Sequence, residues 1–449
     1  MSEEKVDRRT AIKVIAGTVA GLAVGATVGW YAKPTPPPPP PPVIPVSLFV
    51  SCGAGARHEF PLKAMAEEYT KRNPHVRIVL DPAPFTEQTR KLHIELAAKS
   101  GQYDLFQLNY KFLGAYLAGQ QIVKIPIEPA YAEDLKADIP ASVWKMYVKD
   151  DTWWGIPYDC NCQIHYYRKD LLDKAGLTPA KTWADVSKIA KQFHNPPEMY
   201  GWVGTLGRFW TTDSWLAPFW TFGGSFFKKH TDLYGDPEDA TPTINSEAGY
   251  KAAELIVELA TKYGPPVTFP FGEDSVYGVF GTTGKVVQAP ALWGGNVLTN
   301  AKLSKFADTT ETDLVPADEK QPTKRACAMG GFGLGITAPG KNAAEAYKFI
   351  KFVTSKENHR LVVSNTGQPG RTSALTDPEN IKVAKYFKGL SMNLPYAIVR
   401  PAIPEYSEIQ DIIGVEIDKA ITGEQSAKAA IDIANKKIYD LFVKTGRIK

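Results

Sequence analysis

From residue 46 onward the apolar positions follow two rhythms in turn. Residues 46–50 form a short apolar run that closes on Ser51, Cys52 and Gly53, the pattern of a buried strand entering a loop. Leu62, Met65, Ala66 and Tyr69 then fall at helical spacing, and Pro74 ends that segment. A second strand is predicted at 76–80, a second helix at 86–99 and a third strand at 105–108. Alternation of this kind predicts an α/β fold whose parallel sheet is covered on both faces. Ligands of open α/β sheets bind beyond the C-terminal strand ends. Cys52 and Gly53 after the first strand, and Asn109, Tyr110 and Lys111 after the third, are therefore candidate site residues. Asn109 also suits a helix cap.

The first 45 residues follow a different pattern. Arg8 and Arg9, then Thr10, Ala11, Ile12 and Lys13, resemble a twin-arginine export signal, with Asp7 and Ala11 departing from it. Residues 14–32 carry no charge, and as a helix rising ~1.5 Å per residue they would nearly span a bilayer core. Gly17, Gly21, Gly25 and Gly29 repeat every fourth position. That spacing would let two such helices approach closely, or it merely keeps a signal segment weakly hydrophobic. Seven prolines, 36–42, follow, and a polyproline II stretch makes a stiff stalk. Residues 1–33 are thus expected to be an export signal or membrane anchor, and 34–45 a proline-rich stalk.

Composition narrows the function. With 449 residues, 44% hydrophobic and 22% charged, the chain can bury a core the size of two or three domains. The net charge of +4 is divided evenly between the first 42 residues and the rest, and no basic run is long enough to follow a phosphate backbone, so nucleic acid is not an expected partner. Cys52, Cys160, Cys162 and Cys327 lack the paired spacing of a zinc ribbon, and neither metal nor cofactor is expected. Cys160 and Cys162 share one face of a strand while Asn161 points the other way. The thiols are either free and buried, or one of them bridges to Cys327.

The segment from Trp154 to Asp185 carries the most specific pattern. Trp154, Gly155, Ile156, Pro157 and Tyr158 lead into Tyr166, Tyr167, Arg168, Lys169, Asp170 and Leu171, and then Lys181, Thr182, Trp183, Ala184 and Asp185. This resembles the crossover motif of the extracellular solute-binding proteins of the maltose-binding type. Thr182 with Asp185 also forms a capping box on its own physical terms, starting a helix at 184–193 with Trp183 in the core. Further landmarks keep the family's order: Gly223 and Gly224, Gly284 and Lys285, residues 330–337 before a helix at 343–353, Pro369 to Arg371, and Pro404 to Tyr406 before a helical segment containing Ile413, Ile417, Ala420 and Ile421.

The resemblance implies a two-lobed, periplasmic-binding-protein-like α/β fold with crossover hinge strands. Lobe one would be 46–158 with 331–376, and lobe two 163–328 with 380–449. It implies an extracytoplasmic component of an ABC importer that captures a small ligand, a sugar or oligosaccharide, by lobe closure, and that partners membrane-embedded permease subunits. A sugar needs flat aromatic faces and a few hydrogen-bonding groups. Trp215 and Trp293 are assigned to the ligand and Trp210 and Trp220 to the core. Phe332 lies where the family has an aromatic beside the cleft, and Asn161 where its crossover strand carries a hydrogen-bonding residue. Arg371 either reaches the cleft or satisfies carbonyls in its own turn. Polyamines, polyol phosphates and metal chelates are alternative ligands for the same fold. Asp159 and Asp213 are not spaced as a hydrolytic pair, and no catalysis is expected.

Overall fold

The computed structural model describes residues 44–230, 237–266 and 270–448. The twin-arginine-like segment, the uncharged run and the seven prolines lie outside them. Among the described residues no helix is long and apolar enough to cross a membrane.

The first rhythm becomes β1 (Val46–Gly53), α1 (Glu59–Arg72), β2 (Val76–Ala83), α2 (Phe85–Ala98) and β3 (Leu105–Asn109). Leu62, Met65, Ala66 and Tyr69 form the buried stripe of α1, where each fully buried large side chain contributes about 1.5–3 kcal/mol. β1 pairs in parallel with β2 and with β3, as the alternating pattern predicts.

Two long strands then depart from a purely parallel sheet. β4 (Ile156–Arg168) and, much later, β7 (Cys327–Ile336) run antiparallel to each other. Between them stand α3 (Trp183–Phe193), α4 (Phe209–Thr221), β5 (Gln288–Trp293) and β6 (Thr310–Asp313). The sheet order is β6-β4-β7-β3-β1-β2, with β5 also paired to β4. The C-terminal half of β7, from Phe332 to Ile336, lies on β3, whereas the second half of β4 lies on β5 and β6. Each long strand therefore belongs to both lobes of the fold, and they cross together where Asn161 faces Gly330. The pairing register shifts between Phe332 and Gly333, immediately beyond that crossing.

The remaining helices follow their caps and stripes. The Thr182–Asp185 capping box is formed at the start of α3, and Trp183 is buried. α5 spans Ala343–Val353, α6 spans Tyr406–Ile421 and α7 spans Ala427–Lys444. Ile413, Ile417 and Ala420 are buried on α6. All four cysteines are buried and free, which answers the alternative of a bridge to Cys327. In apolar surroundings they act as small core residues, and burial pushes the Cys52 thiol up to about 12.

Candidate functional site

Where the long strands cross, a cavity of about 540 Å³ opens, lined from both lobes. Its size lies within the range of small-molecule sites. The loop after β1 contributes Ala54 to His58, the start of α2 contributes Phe85, and the turn after β3 contributes Asn109 and Lys111. From the other side come Phe209, Trp210 and Asp213 of α4, Glu273 and Tyr277 of a short helix, Trp293 at the end of β5, Asn296 and Arg400. Asn161, Gly330, Gly331 and Phe332 form the floor at the crossing.

Asp213 organises one wall. Both of its oxygens are engaged: Oδ2 accepts from the Trp293 indole N–H at 3.2 Å, and Oδ1 accepts from Gln410 at 2.7 Å and Arg400 at 3.2 Å. Arg400 also donates through Nε to the Tyr110 hydroxyl at 3.0 Å and lies 5.0 Å from the centroid of the Trp293 ring. The indole face is thereby held in place by a carboxylate at its edge and a guanidinium above it.

Lys111 stands beside this group. Its ammonium lies 4.9 Å, 5.2 Å and 5.4 Å from the ring centroids of Phe112, Phe209 and Phe85, and it donates to Gln410 Oε1 at 3.3 Å. Burial, assisted by the charge of Arg400, brings its pKa down to about 7.

Phe332 forms a second aromatic surface. His58 meets it edge-on at 4.8 Å, and Arg57 lies 5.4 Å over its ring. Arg57 in turn holds Asp159 through two hydrogen bonds, 2.7 Å and 3.1 Å. Burial first, and then the neighbouring Arg57 charge, keep His58 neutral, well below its usual range. Opposite, Glu273 is pushed up to about 7 by burial, with Arg57 pulling it back and Asp213 and Asp274 adding to the rise.

Of the residues singled out from the sequence, Asn109, Lys111, Asn161, Trp293 and Phe332 line the cavity. Asn109 is also a cap, accepting from the Lys111 N–H at 3.2 Å. Cys52, Gly53, Tyr110, Trp215 and Arg371 do not line it. Cys52 lies within the β1–β2 ladder, two residues before Ala54, where the loop that reaches the cavity begins. Gly53 acts from behind: its N–H donates to Gln107 Oε1 at 2.6 Å, and the Gln107 amide donates to His58 Nδ1 at 2.9 Å. Tyr110 is wholly buried and orients Arg400.

Trp215 is also wholly buried, stacked on Phe219 at 4.0 Å, because α4 is enclosed on all sides from Thr211 onward. Trp210, in the first turn of α4, is the tryptophan of that helix that faces the cavity, which reverses the expected assignment of the two. Trp220 packs in the core as expected. Arg371 bonds to Thr354 O, Asp134 and Asp138, far from any ligand role. Arg57, Phe85, Glu273, Asn296 and Arg400 carried no spacing signal, although Arg57 and His58 belong to the loop that follows the first predicted strand. Among the described residues no group of His, Cys, Asp or Glu is arranged to hold a metal ion.

A family model described as bacterial extracellular solute-binding protein matches residues 58–360. A probable amino-acid ABC transporter periplasmic-binding protein of Sinorhizobium fredii is 25% identical over 378 residues, covering 81% of this chain and 82% of that protein. The mannitol-binding protein of Pseudomonas aeruginosa is 24% identical over 373 residues, covering 77% and 82%. Among solved structures, a solute-binding protein of Agrobacterium radiobacter in complex with ribitol superposes with a TM-score of 0.77 at 22% identity, covering 89% of this chain and all of that one. Maltose-bound MalE3 of T. maritima gives 0.76 at 21% identity, covering 88% and 100%.

Proposed function

Since the chain belongs to the bacterial extracellular solute-binding proteins, we propose that this extracytoplasmic component of an ABC importer captures a neutral, polyhydroxylated solute, a sugar or sugar alcohol. Closure of the two lobes around the cavity would trap it. The lobes divide as 46–158 with 331–376 and 163–328 with 380–449. Asn109, Lys111 and Phe332 would meet the ligand from lobe one, Trp210 and Trp293 from lobe two, and Asn161 from the crossing strand. A ligand shifts the open–closed balance only if it touches both lobes in this way.

The observation that carries the neutral assignment is the state of the cavity's charges. Arg57 is neutralised by Asp159 and Arg400 by Asp213. Of the cavity groups without a fixed counter-charge, Lys111 and Glu273 are drawn by burial toward their uncharged forms, and Asp274 is exposed to solvent. A phosphate needs free guanidinium or ammonium donors, and a polyamine needs several free carboxylates, where this cavity presents Asp274 alone among the described residues. Aromatic faces at Trp210, Trp293 and Phe332 suit the C–H faces of a sugar. With Asp159 and Asp213 each held by a guanidinium, the site favours binding over glycoside hydrolysis. The mannitol-binding relative and the ribitol- and maltose-bound neighbours lend the same support.

Residues 1–33 would export the protein and tether it to the outer face of the membrane, with 34–45 as a stalk that presents the body to its permease. The ligand class is tested by thermal shift of the purified protein with ribitol, D-mannitol and maltose against glycerol 3-phosphate and spermidine. A ligand at 100 times its Kd adds about 2.7 kcal/mol, so a true ligand is conspicuous. Stabilisation by none of the three neutral compounds, whether or not a charged one responds, would overturn the assignment.

A further inference from the structure

Two side chains in the cavity are chemically incomplete. Asn161 is 1% exposed and Asn296 is 5% exposed, and in both the amide nitrogen and the amide oxygen find no hydrogen-bond partner among the described residues. Both line the cavity. A buried amide left unpaired destabilises a fold, so two of them in one cavity point to a ligand that completes them.

Their placement is fixed. Asn161 sits on β4 opposite Gly330, between the buried Cys160 and Cys162. Asn296 follows the loop that leaves β5, and that loop is pinned to β4 at two points. The Gly294 N–H donates to Cys162 O at 3.0 Å. The Tyr166 hydroxyl donates to Gly295 O and accepts from the Gly295 N–H, both at 2.9 Å. Asn161 Oδ1 lies only 2.7 Å from where a Cβ on Gly294 would stand, so the first amide rests against the loop two residues before the second. Glycine at 294 is what allows this approach.

We propose that Asn161 and Asn296 act together as a reader for hydroxyl groups on adjacent carbons, with Asn296 the specificity-determining residue of the pair. This presupposes the polyhydroxylated ligand proposed above and narrows how it is selected. Each carboxamide offers one acceptor oxygen and one donor nitrogen side by side. A phosphate oxygen only accepts and would leave Oδ1 unpaired, and an ammonium only donates and would leave Nδ2 unpaired. A hydroxyl does both, and two on neighbouring carbons match the two functions of one amide. Tyr166 is a positioning residue, acting through Gly295.

The test compares Asn161→Ala and Asn296→Ala with the wild-type chain, measuring ligand-free melting temperature and, by calorimetry, affinity for ribitol, D-mannitol and maltose. The expected result is a loss of affinity of roughly 30-fold or more for each variant, with a ligand-free melting temperature that is unchanged or raised, because an incomplete amide has been removed. A structural role would lower the melting temperature instead. If the wild type binds one of these compounds and Asn296→Ala binds it equally well, or if that variant melts several degrees lower, the reader is refuted while the ligand class stands. If the wild type binds none of them, both fall together.

Discussion

Arg57 and Asp159 are 102 residues apart in the chain and meet through two hydrogen bonds, with the aspartate side chain 1% exposed and the arginine 19%. The pair fastens the loop that follows the first strand to the first residues of the crossing strand, and places the guanidinium over Phe332. One side of the cavity therefore depends on an ion pair that is nearly dry.

Removing one member of a buried pair leaves the other uncompensated. Arg57→Met is expected to lower stability by about 3 kcal/mol, because Asp159 has no room to reach water. Asp159→Asn should cost less, since the more exposed arginine can turn into the cavity. The double variant Arg57→Met, Asp159→Asn should recover more than half of the first loss. Urea denaturation of the four proteins measures the coupling, and purely additive losses would show that the pair contributes nothing.

Gly330 clears space for the Trp293 ring: a Cβ there would stand 2.7 Å from Cζ3 and 3.0 Å from Cε3. Gly330→Ala should push the indole off its hydrogen bond to Asp213 and weaken ligand binding by about tenfold, or 1.4 kcal/mol. Trp293→Ala should weaken it at least as much. Calorimetry with the best-binding sugar or polyol checks both, and unchanged affinity in either would remove the indole face from the site.

The first five elements were legible because each carries its own period: α1 is readable from Leu62, Met65, Ala66 and Tyr69 alone, and α3 from its capping box. The cavity was legible only where a strand ends on it, as at Asn109 and Lys111. Trp210 and Trp215 show why the rest was not. They lie five residues apart on one helix, so they point in different directions, and which one faces a cavity depends on what encloses α4 rather than on either residue. Arg400 is placed by Tyr110 and Asp213, partners far away in sequence that no local pattern reports.

Arg371 illustrates the opposite case, a charged residue whose role is architectural. It is 2% exposed and ties Thr354 O to Asp134 and Asp138. Arg371→Met should destabilise the protein by roughly 2–3 kcal/mol, the lower side reflecting the partial exposure of Asp134. Ligand affinity of the folded fraction should not change. A variant of wild-type stability that bound ligand poorly would return Arg371 to the cavity.

Glu273 and Lys111 give the ligand-free protein an unusual dependence on pH. Burial raises Glu273 from 4.5 to about 7, so between those values the folded chain keeps a proton that the unfolded chain has released. Stability then falls as pH rises through that window. Burial lowers Lys111 from 10.5 to about 7, so between 7 and 10.5 the unfolded chain holds the extra proton and stability rises with pH. The groups acting on Glu273 are Arg57, Asp213, Asp274 and Tyr277, and those acting on Lys111 are Arg400, Asp213 and Asp411. Both contributions reach their least favourable point near neutrality, which is where a ligand that replaces lost solvation has most to stabilise. Glu273→Gln should flatten the acid side of the stability profile and leave the alkaline side intact, and Lys111→Met should do the reverse. Denaturation midpoints recorded across the two windows decide the matter. A Glu273→Gln profile parallel to that of the wild type below neutrality would mean that the carboxylate is solvated and already ionised in the folded protein.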